Sequence, residues 1–174
     1  LRWDLPLGEF KLVGNIPFAH TAEIMQKLVR HQSPPQESFL IMQWEAAQKF
    51  SGTPRETLFS LQWKPVFDIR IVQKIDKHNF APVPRVDAAL LQLSLRQSPL
   101  LSGSDLLNYR SFVERVFTGR QPTIEKELSK MYSSKLLRQL WKEFGPPLRR
   151  RKGELGIDEW ITLWRLVCKC NHTA

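Results

Sequence analysis

The residues best suited to chemistry form the tetrapeptide Asn15-Ile16-Pro17-Phe18, which follows the apolar run FKLVG at residues 10–14. At the carboxyl end of a strand, the tetrapeptide would lie where open α/β sheets bind ligands. The Asn15 side-chain oxygen and the Ile16 and Pro17 carbonyls can accept the two hydrogens of an amine, and the Phe18 ring can stack on a planar base. This set suits the exocyclic amine of adenine, a poor nucleophile until it is held. A plain turn, with Phe18 in the core, explains the same residues.

A second candidate site is the basic run Arg149-Arg150-Arg151-Lys152, which lies in a predicted loop where side chains are free to reach outward. Phosphate contacts and a simple solvated loop explain this run about equally well. The chain has 26 Lys and Arg against 17 Asp and Glu, a net charge of +9. Residues 99–174 contribute +6 of that excess, from 14 basic and 8 acidic side chains. The charge favours a polyanionic partner such as a nucleic acid.

Cys168 and Cys170 are the only cysteines, and with His172 they are the only support for a metal or redox protein. They lie too close together for an easy disulfide, and a zinc site would need a fourth ligand. We therefore expect two free thiols and no metal site.

The first part of the chain alternates between strand and helix patterns. Its apolar runs and amphipathic segments predict an α/β unit with two strands near the sheet edge, 66–75 and 88–95. The predicted strands are 10–14, 38–43, 66–75 and 88–95, and the predicted helices are 21–31 and 45–50.

After residue 98 the pattern becomes helical, with turn signals at residues 119–122, 133–134 and 145–147. The predicted helices are 106–117, 123–132, 135–144 and 157–169. The sequence therefore predicts two domains, 1–98 and 99–174, the second all-helical. No apolar run approaches the roughly 20 residues that span a bilayer, so we expect no membrane association and a cytoplasmic protein.

Three separated segments resemble the ribosomal RNA adenine dimethyltransferases, the family of the Erm macrolide-resistance methylases and the housekeeping small-subunit dimethylases. KLVGNIPF at 11–18 is similar to the target-base motif, LIMQWEAAQKF at 40–50 to the strand and helix that follow it, and FAPVPRVDAALLQL at 80–93 to the F-x-P-x-P-x-V-D signature. The helical tail, with FVERVFTGR at 112–120, resembles the Erm branch more loosely. The resemblance implies the C-terminal part of a Rossmann-like S-adenosylmethionine methyltransferase domain, followed by a small helical domain.

The resemblance also implies roles for individual residues. Asn15 and the Pro17 carbonyl would bind the target amine, with Asn15 also touching the cofactor, and Phe18 and Phe80 would lie against the two sides of the flipped adenine. Pro82, Pro84 and Asp87 would shape the second loop. The implied partner is ribosomal RNA, the implied cofactor is S-adenosylmethionine, and the helical domain would bind RNA through Arg149, Arg150, Arg151 and Lys152. We expect a monomer.

The sequence departs from the family in its glycines. Family members carry a glycine-rich cofactor loop upstream of the matched segments, whereas the eight glycines here form no Gly-x-Gly pattern. We therefore expect a fragment that is inactive alone. The leading interpretation is an Erm-type enzyme that methylates the N6 amine of an adenine in 23S rRNA and confers resistance to macrolides, lincosamides and streptogramin B. A small-subunit dimethylase and a non-catalytic RNA-binding relative are the alternatives.

Overall fold

The computed structural model describes residues 4–172 of the chain, with side chains described as far as Cys170. The chain divides into two compact units. One contains residues 4–53 and 66–100, and the other contains residues 54–65 and the remainder from Leu101. Residues 54–65, which the sequence pattern places within 1–98, thus group with the helical part. None of the described helices is long and apolar enough to cross a bilayer.

The first unit is a four-stranded mixed sheet with two helices. Its strands are β1 (Lys11–Asn15), β2 (Glu37–Gln43), β3 (Phe67–Ile75) and β4 (Ala88–Leu95), and its helices are α1 (Thr21–Arg30) and α2 (Trp44–Ser51). The strand order is β1-β2-β4-β3, with β1 parallel to β2 and the other two pairings antiparallel. All six predicted elements of this part are present, with no end shifted by more than one residue.

Alternating burial explains the sheet's core. In β2, Ser38, Leu40 and Met42 are buried on one face, and α1 buries Ile24, Met25, Leu28 and Val29 along one helical face. Leu40, Met42 and the buried side chains of α1 belong to the apolar core of the sheet unit, whose parallel strands β1 and β2 end at the same edge. The predicted site residues follow that edge.

The prediction that 88–95 lies near the sheet edge is wrong, because β4 is paired on both sides by β2 and β3. Gln92 makes the strand look half-polar, yet its side chain is buried. It accepts a hydrogen bond from Arg70 Nε of β3 at 2.7 Å and donates one to Glu37 of β2 at 2.7 Å. A buried polar group that is satisfied by both neighbouring strands belongs inside a sheet. The edge prediction for 66–75 is confirmed.

The second unit is helical: α3 (Leu58–Trp63), α4 (Gly103–Thr118), α5 (Ile124–Leu128), α6 (Ser134–Glu143) and α7 (Ile157–His172). The four helices predicted after residue 98 are present, although α5 is shorter than the predicted 123–132. The core of the helical unit contains edge-on aromatic pairs between α4 and α7. The ring centroids are 5.9 Å apart for Tyr109 and Trp164 and 6.2 Å apart for Phe112 and Trp160.

Helix α3 was not predicted, because six residues are too few to show helical periodicity. It begins with a reciprocal capping box, in which the Thr57 hydroxyl accepts from Ser60 N at 3.1 Å and the Ser60 hydroxyl accepts from Thr57 N at 2.8 Å. Arg110 of α4 stacks its guanidinium over Trp63 at 3.9 Å and donates to the Gln62 carbonyl at 2.9 Å. These contacts tie α3 to the helical unit.

Candidate functional site

The loop after β1 presents the predicted tetrapeptide in an open position. The parallel pairing with β2 extends one residue beyond the strand, because Ile16 N donates to the Ile41 carbonyl at 2.9 Å and Ile16 is buried. Asn15, immediately before this anchor, is exposed at the carboxyl end of β1. The anchored backbone therefore holds Asn15 in a defined place while its side chain remains accessible.

Phe18 follows as the first residue of a 3-10 turn, Phe18–His20, that leads into α1. The Phe18 carbonyl accepts a hydrogen bond from the buried Thr21 hydroxyl at 3.1 Å. The Phe18 ring is 38% exposed, so it is not the core residue of the plain-turn interpretation. A partly exposed ring with a tethered backbone can offer a flat face to a ligand.

The Pro17 carbonyl is partly occupied. It accepts from His20 N at 2.9 Å within the turn, and the Thr21 hydroxyl lies 3.5 Å from it. A carbonyl oxygen has two lone pairs, so one of them can still face a ligand. The Ile16 carbonyl is the other main-chain acceptor that the sequence predicted for the amine.

The second predicted loop lies against the first. Phe80 is half-buried after the 3-10 turn Lys77–Asn79, and the following residues include the cis peptide Ala81–Pro82. Together the two loops enclose a cavity of about 430 Å³, here named the target cavity. Its lining consists of Asn15, Ile16, Pro17, Phe18, Phe80, Ala81, Pro82 and Pro84. The structure thus brings together every residue that the sequence predicted for binding the base; their individual roles stay predictions.

Asp87 clamps the far end of this loop. Its carboxylate accepts from Lys74 Nζ at 2.8 Å and from Lys77 N at 3.2 Å, and its carbonyl accepts from Trp44 N at 3.0 Å. The hydrogen bond from Lys74, followed by that from the Lys77 backbone, holds the pKa of the Asp87 carboxyl below its usual range. Asp87 therefore shapes the loop, as the resemblance implied, by joining β3, the loop and the start of α2.

The basic run of the helical unit divides into two parts. Arg149, Arg150 and Arg151 are exposed, with Arg149 over the Trp141 ring at 4.8 Å and Arg150 paired with Glu159 at 3.0 Å. The prediction that the Lys152 side chain also reaches outward is wrong, because this side chain is buried.

The Lys152 side chain is buried among acceptors of its own unit. Its Nζ donates to the Gly119 carbonyl at 2.6 Å and to the Glu127 carboxylate at 3.2 Å. Backbone donation from Gln121 and the ion pair with Lys152 lower the pKa of Glu127, although burial opposes the shift. Lys152 is thus satisfied internally, which removes it from the residues able to contact RNA.

The cysteines support no metal site in the described part of the chain. No group of three or more potential ligands occurs there, and the His172 side chain lies outside the described residues. Burial raises the pKa of both the Cys168 and Cys170 thiols, so they remain protonated near neutral pH.

The family model described as ribosomal RNA adenine dimethylase matches residues 1–146. The chain belongs to the ribosomal RNA adenine dimethylase family. The resemblance inferred from the three sequence segments is thereby confirmed, as is the Rossmann-like α/β methyltransferase fold.

Relatives within the family agree with this assignment. The chain is 27% identical over 170 residues to an rRNA adenine N-6-methyltransferase of Bacillus anthracis, covering 96% of this chain and 58% of that protein. It is 35% identical over 134 residues to an rRNA adenine N-6-methyltransferase of Saccharopolyspora erythraea, covering 76% of this chain and 35% of that protein. The matched region thus covers 58% of the length of the first of these relatives and 35% of the second.

A solved dimethylase structure matches closely in shape. The crystal structure of the 23S rRNA methyltransferase ErmE superposes with a TM-score of 0.86 at 27% identity, covering 96% of this chain and 68% of that one. A dimethyladenosine transferase from Plasmodium falciparum, 17% identical with a TM-score of 0.70 over 98% of this chain and 70% of that one, shares the fold.

Methyltransferases of the dimethylase family use S-adenosylmethionine, and residues 4–172 fit only one edge of a site for it. Asn15 offers an exposed polar side chain at the carboxyl end of β1, beside the target cavity. None of the eight glycines forms the Gly-x-Gly pattern that lets a backbone approach such a cofactor closely. Among the described residues, Asn15 is therefore the one predicted cofactor contact, and that role stays a prediction.

Proposed function

We propose that this chain supplies the target-adenine and RNA-binding side of an enzyme that methylates the N6 amine of an adenine in 23S rRNA, in the manner of the Erm methylases. In a cell, that activity would confer resistance to macrolides, lincosamides and streptogramin B. The observation that carries the proposal is the target cavity, which is lined by the exposed Asn15, by the main chain of Ile16 and Pro17, and by two phenylalanines at one strand end.

Each residue has a distinct task in the proposed reaction. The Asn15 side-chain oxygen and the remaining lone pair of the Pro17 carbonyl accept the two hydrogens of the amine, so that its nitrogen lone pair turns out of conjugation with the ring. Phe18 stacks on one face of the flipped base and Phe80 lies against the other side. Bound S-adenosylmethionine supplies an electrophilic methyl group. No protein base is required, since the methylated nitrogen loses its proton readily to solvent.

The helical unit contributes phosphate contacts through Arg149, Arg150 and Arg151, all of them exposed. Two of these side chains already have partners, Trp141 and Glu159, so binding to phosphate would replace or share those contacts. We also propose a cytoplasmic location and a monomeric state, the second of which sedimentation can test.

A small-subunit rRNA target is the second candidate. The chain is 27% identical over 160 residues, covering 90% of this chain and 57% of that protein, to a ribosomal RNA small subunit methyltransferase A of Persephonella marina. Hairpins from the two rRNAs, offered in parallel to the gene product that contains residues 1–174, distinguish the targets. Binding to both without methyl incorporation into either would favour a non-catalytic RNA-binding protein.

Substitutions in the target cavity test the chemistry. Asn15→Ala removes the acceptor that holds the amine in the transition state, so turnover should fall roughly a hundredfold or more. Phe18→Ala removes a stacking face worth about 1 to 3 kcal/mol, which should weaken base capture more than turnover. Phe18→Tyr and Phe18→Leu should retain more activity than Phe18→Ala. Near wild-type methyl incorporation by Asn15→Ala would refute the role proposed for this loop.

A further inference from the structure

A second cavity lies on the other side of the Phe80–Asp87 loop, within the same sheet unit. It measures about 630 Å³, in the range typical of ligand sites. We name it the side cavity. It is lined by the end of β2 and the start of α2 on one side, and by residues 76–77 and 85–87 on the other.

The side cavity and the target cavity are immediate neighbours. Pro84 lines the target cavity and the next residue, Arg85, lines the side cavity. The opposite walls come from the carboxyl ends of β1 and β2, which are paired strands joined beyond β1 by the bond from Ile16 N to the Ile41 carbonyl. The two cavities therefore lie side by side along one edge of the sheet.

The side chains of the side cavity combine a stacking surface with positive charge. Trp44 is partly exposed there, and Lys74 Nζ lies 5.4 Å from its ring centroid. Arg85 is exposed at the opposite wall. Aromatic rings flanked by cations are the usual surface for a single-stranded nucleotide, with the ring taking the base and the cation the phosphate.

Three carboxylates also border the side cavity, and two of them already have hydrogen-bond partners. Asp87 is paired with Lys74 at 2.8 Å, and Asp76 accepts from His78 Nδ1 at 2.7 Å and from its backbone N at 2.8 Å. The third, Glu45, is exposed in the first turn of α2. Its oxygens are acceptors, so they suit the amino or imino hydrogens on a base edge and not a phosphate.

We propose that the side cavity binds the nucleotide adjacent to the target adenine in the RNA, with its base on Trp44 and its phosphate at Arg85. This inference rests on the proposed function and extends it, because it places a second nucleotide contact beside the flipped base. The short single-stranded stretch around the adenine would then be held at two consecutive positions, which fixes the register of the target.

The test uses an RNA hairpin with one loop adenine, bound to the 174-residue chain. The fluorescent base 2-aminopurine replaces, in separate RNAs, the nucleotide on either side of that adenine, and binding is followed by anisotropy of a terminal dye. Stacking on Trp44 should quench 2-aminopurine at one of the two positions. Trp44→Ala should abolish that quenching and weaken binding by roughly fivefold to a hundredfold, whereas Trp44→Phe should preserve most of both.

Arg85→Ala should lower the slope of log affinity against log salt by about 0.7, the value for one phosphate contact on a single strand. Arg30→Ala is the matched control, since Arg30 is an exposed arginine of the same unit on α1. Circular dichroism of each variant checks that the fold is retained. If Trp44→Ala does not fold, the inference is tested by the conservative Trp44→Phe and by Arg85→Ala, which changes an exposed side chain.

Two further results would overturn the inference in distinguishable ways. If Phe18→Ala weakens binding while the Trp44 and Arg85 variants bind like the wild type, the side cavity takes no nucleotide and the proposed function stands. If none of these variants, Phe18→Ala included, changes RNA binding, the proposed function fails together with the inference.

Discussion

Replacing Lys152 should destabilise the helical unit and leave the salt dependence of RNA binding nearly unchanged, although Lys152 belongs to the most basic run of the chain. Its ammonium group donates to the Gly119 carbonyl at 2.6 Å, to the Glu127 carboxylate at 3.2 Å and to the Phe117 carbonyl at 3.5 Å. Both charged side chains are about nine-tenths buried. The pair thus satisfies the carbonyls at the end of α4 and joins them to α5 through Glu127.

The magnitude follows from what remains after Lys152→Met. Removing one partner of a buried ion pair costs about 3 to 5 kcal/mol, because the other charge is left uncompensated. Here Glu127 keeps its hydrogen bond from Gln121 N at 2.8 Å, which favours the lower end of that range. We therefore expect a loss of about 3 kcal/mol in the free energy of unfolding of the helical unit.

Urea unfolding followed by tryptophan fluorescence measures this loss, since Trp63, Trp141, Trp160 and Trp164 all belong to the helical unit. Arg151→Ala is the matched control: its side chain is exposed, so its effect should stay within about 0.5 kcal/mol. The double variant Lys152→Met with Glu127→Gln should recover part of the loss, because no buried charge is left unpaired. Equal stability of Lys152→Met and Arg151→Ala, together with a lower salt slope for Lys152→Met, would refute the burial argument and return Lys152 to the RNA-contacting residues.

Three other predictions concern the remaining parts of the molecule. Changing Arg149, Arg150 and Arg151 together to Ala should reduce the salt slope of RNA binding by up to about 2, since each phosphate contact contributes about 0.7 to 0.9; an unchanged slope in anisotropy titrations would make the run a solvated loop. The 174-residue chain alone should show no one-site isotherm with S-adenosylmethionine in calorimetry, and micromolar binding would contradict this. Asp87→Asn should lower the free energy of unfolding at neutral pH but not in acid. The pKa of Asp87 is lower in the folded chain than its unfolded value of 3.8, so the carboxylate stabilises the fold above pH 3.8. This stabilisation is lost as pH falls through the folded-state pKa. Urea midpoints at pH 7 and at successively lower pH values below 3.8 check it.

The sequence predicted most elements because their burial patterns are local. Strands such as β2, with strictly alternating burial, and helices such as α1, with one apolar face, carry their periodicity in a few consecutive residues. The exceptions depend on partners far along the chain. Gln92 is buried only because Arg70 and Glu37, 22 and 55 residues away, satisfy it, so its polarity suggested an edge that β4 does not have.

The candidate site was predictable to the extent that motif residues adjoin strand ends. Asn15 is the last residue of β1 and Phe18 follows three residues later, and the resemblance identified Phe80 and Asp87. The supports of these residues were not predicted. Thr21 holds the Phe18 carbonyl, a contact that its spacing of three residues at a helix start could have suggested. Nothing in the sequence distinguishes the buried Lys152 from the exposed Arg151 beside it, because the acceptors of Lys152 lie 25 to 35 residues away.

The loop from Phe80 to Asp87 couples the two cavities, since it forms a wall of each. Its far end is held by one residue, Asp87, which joins Lys74 of β3, the Lys77 backbone and the Trp44 backbone at the start of α2. A change at Asp87 therefore alters the Phe80 wall of the target cavity and the Trp44 wall of the side cavity together. Changes at Asn15 or Phe18 alter the target cavity only. The loop after β1 that carries these two residues is anchored separately, through Ile16 and Thr21. Substitutions at Asn15 or Phe18 should thus impair capture of the adenine alone. Substitutions at Asp87 should impair both capture of the adenine and positioning of its neighbour, because one loop contacts two adjacent nucleotides.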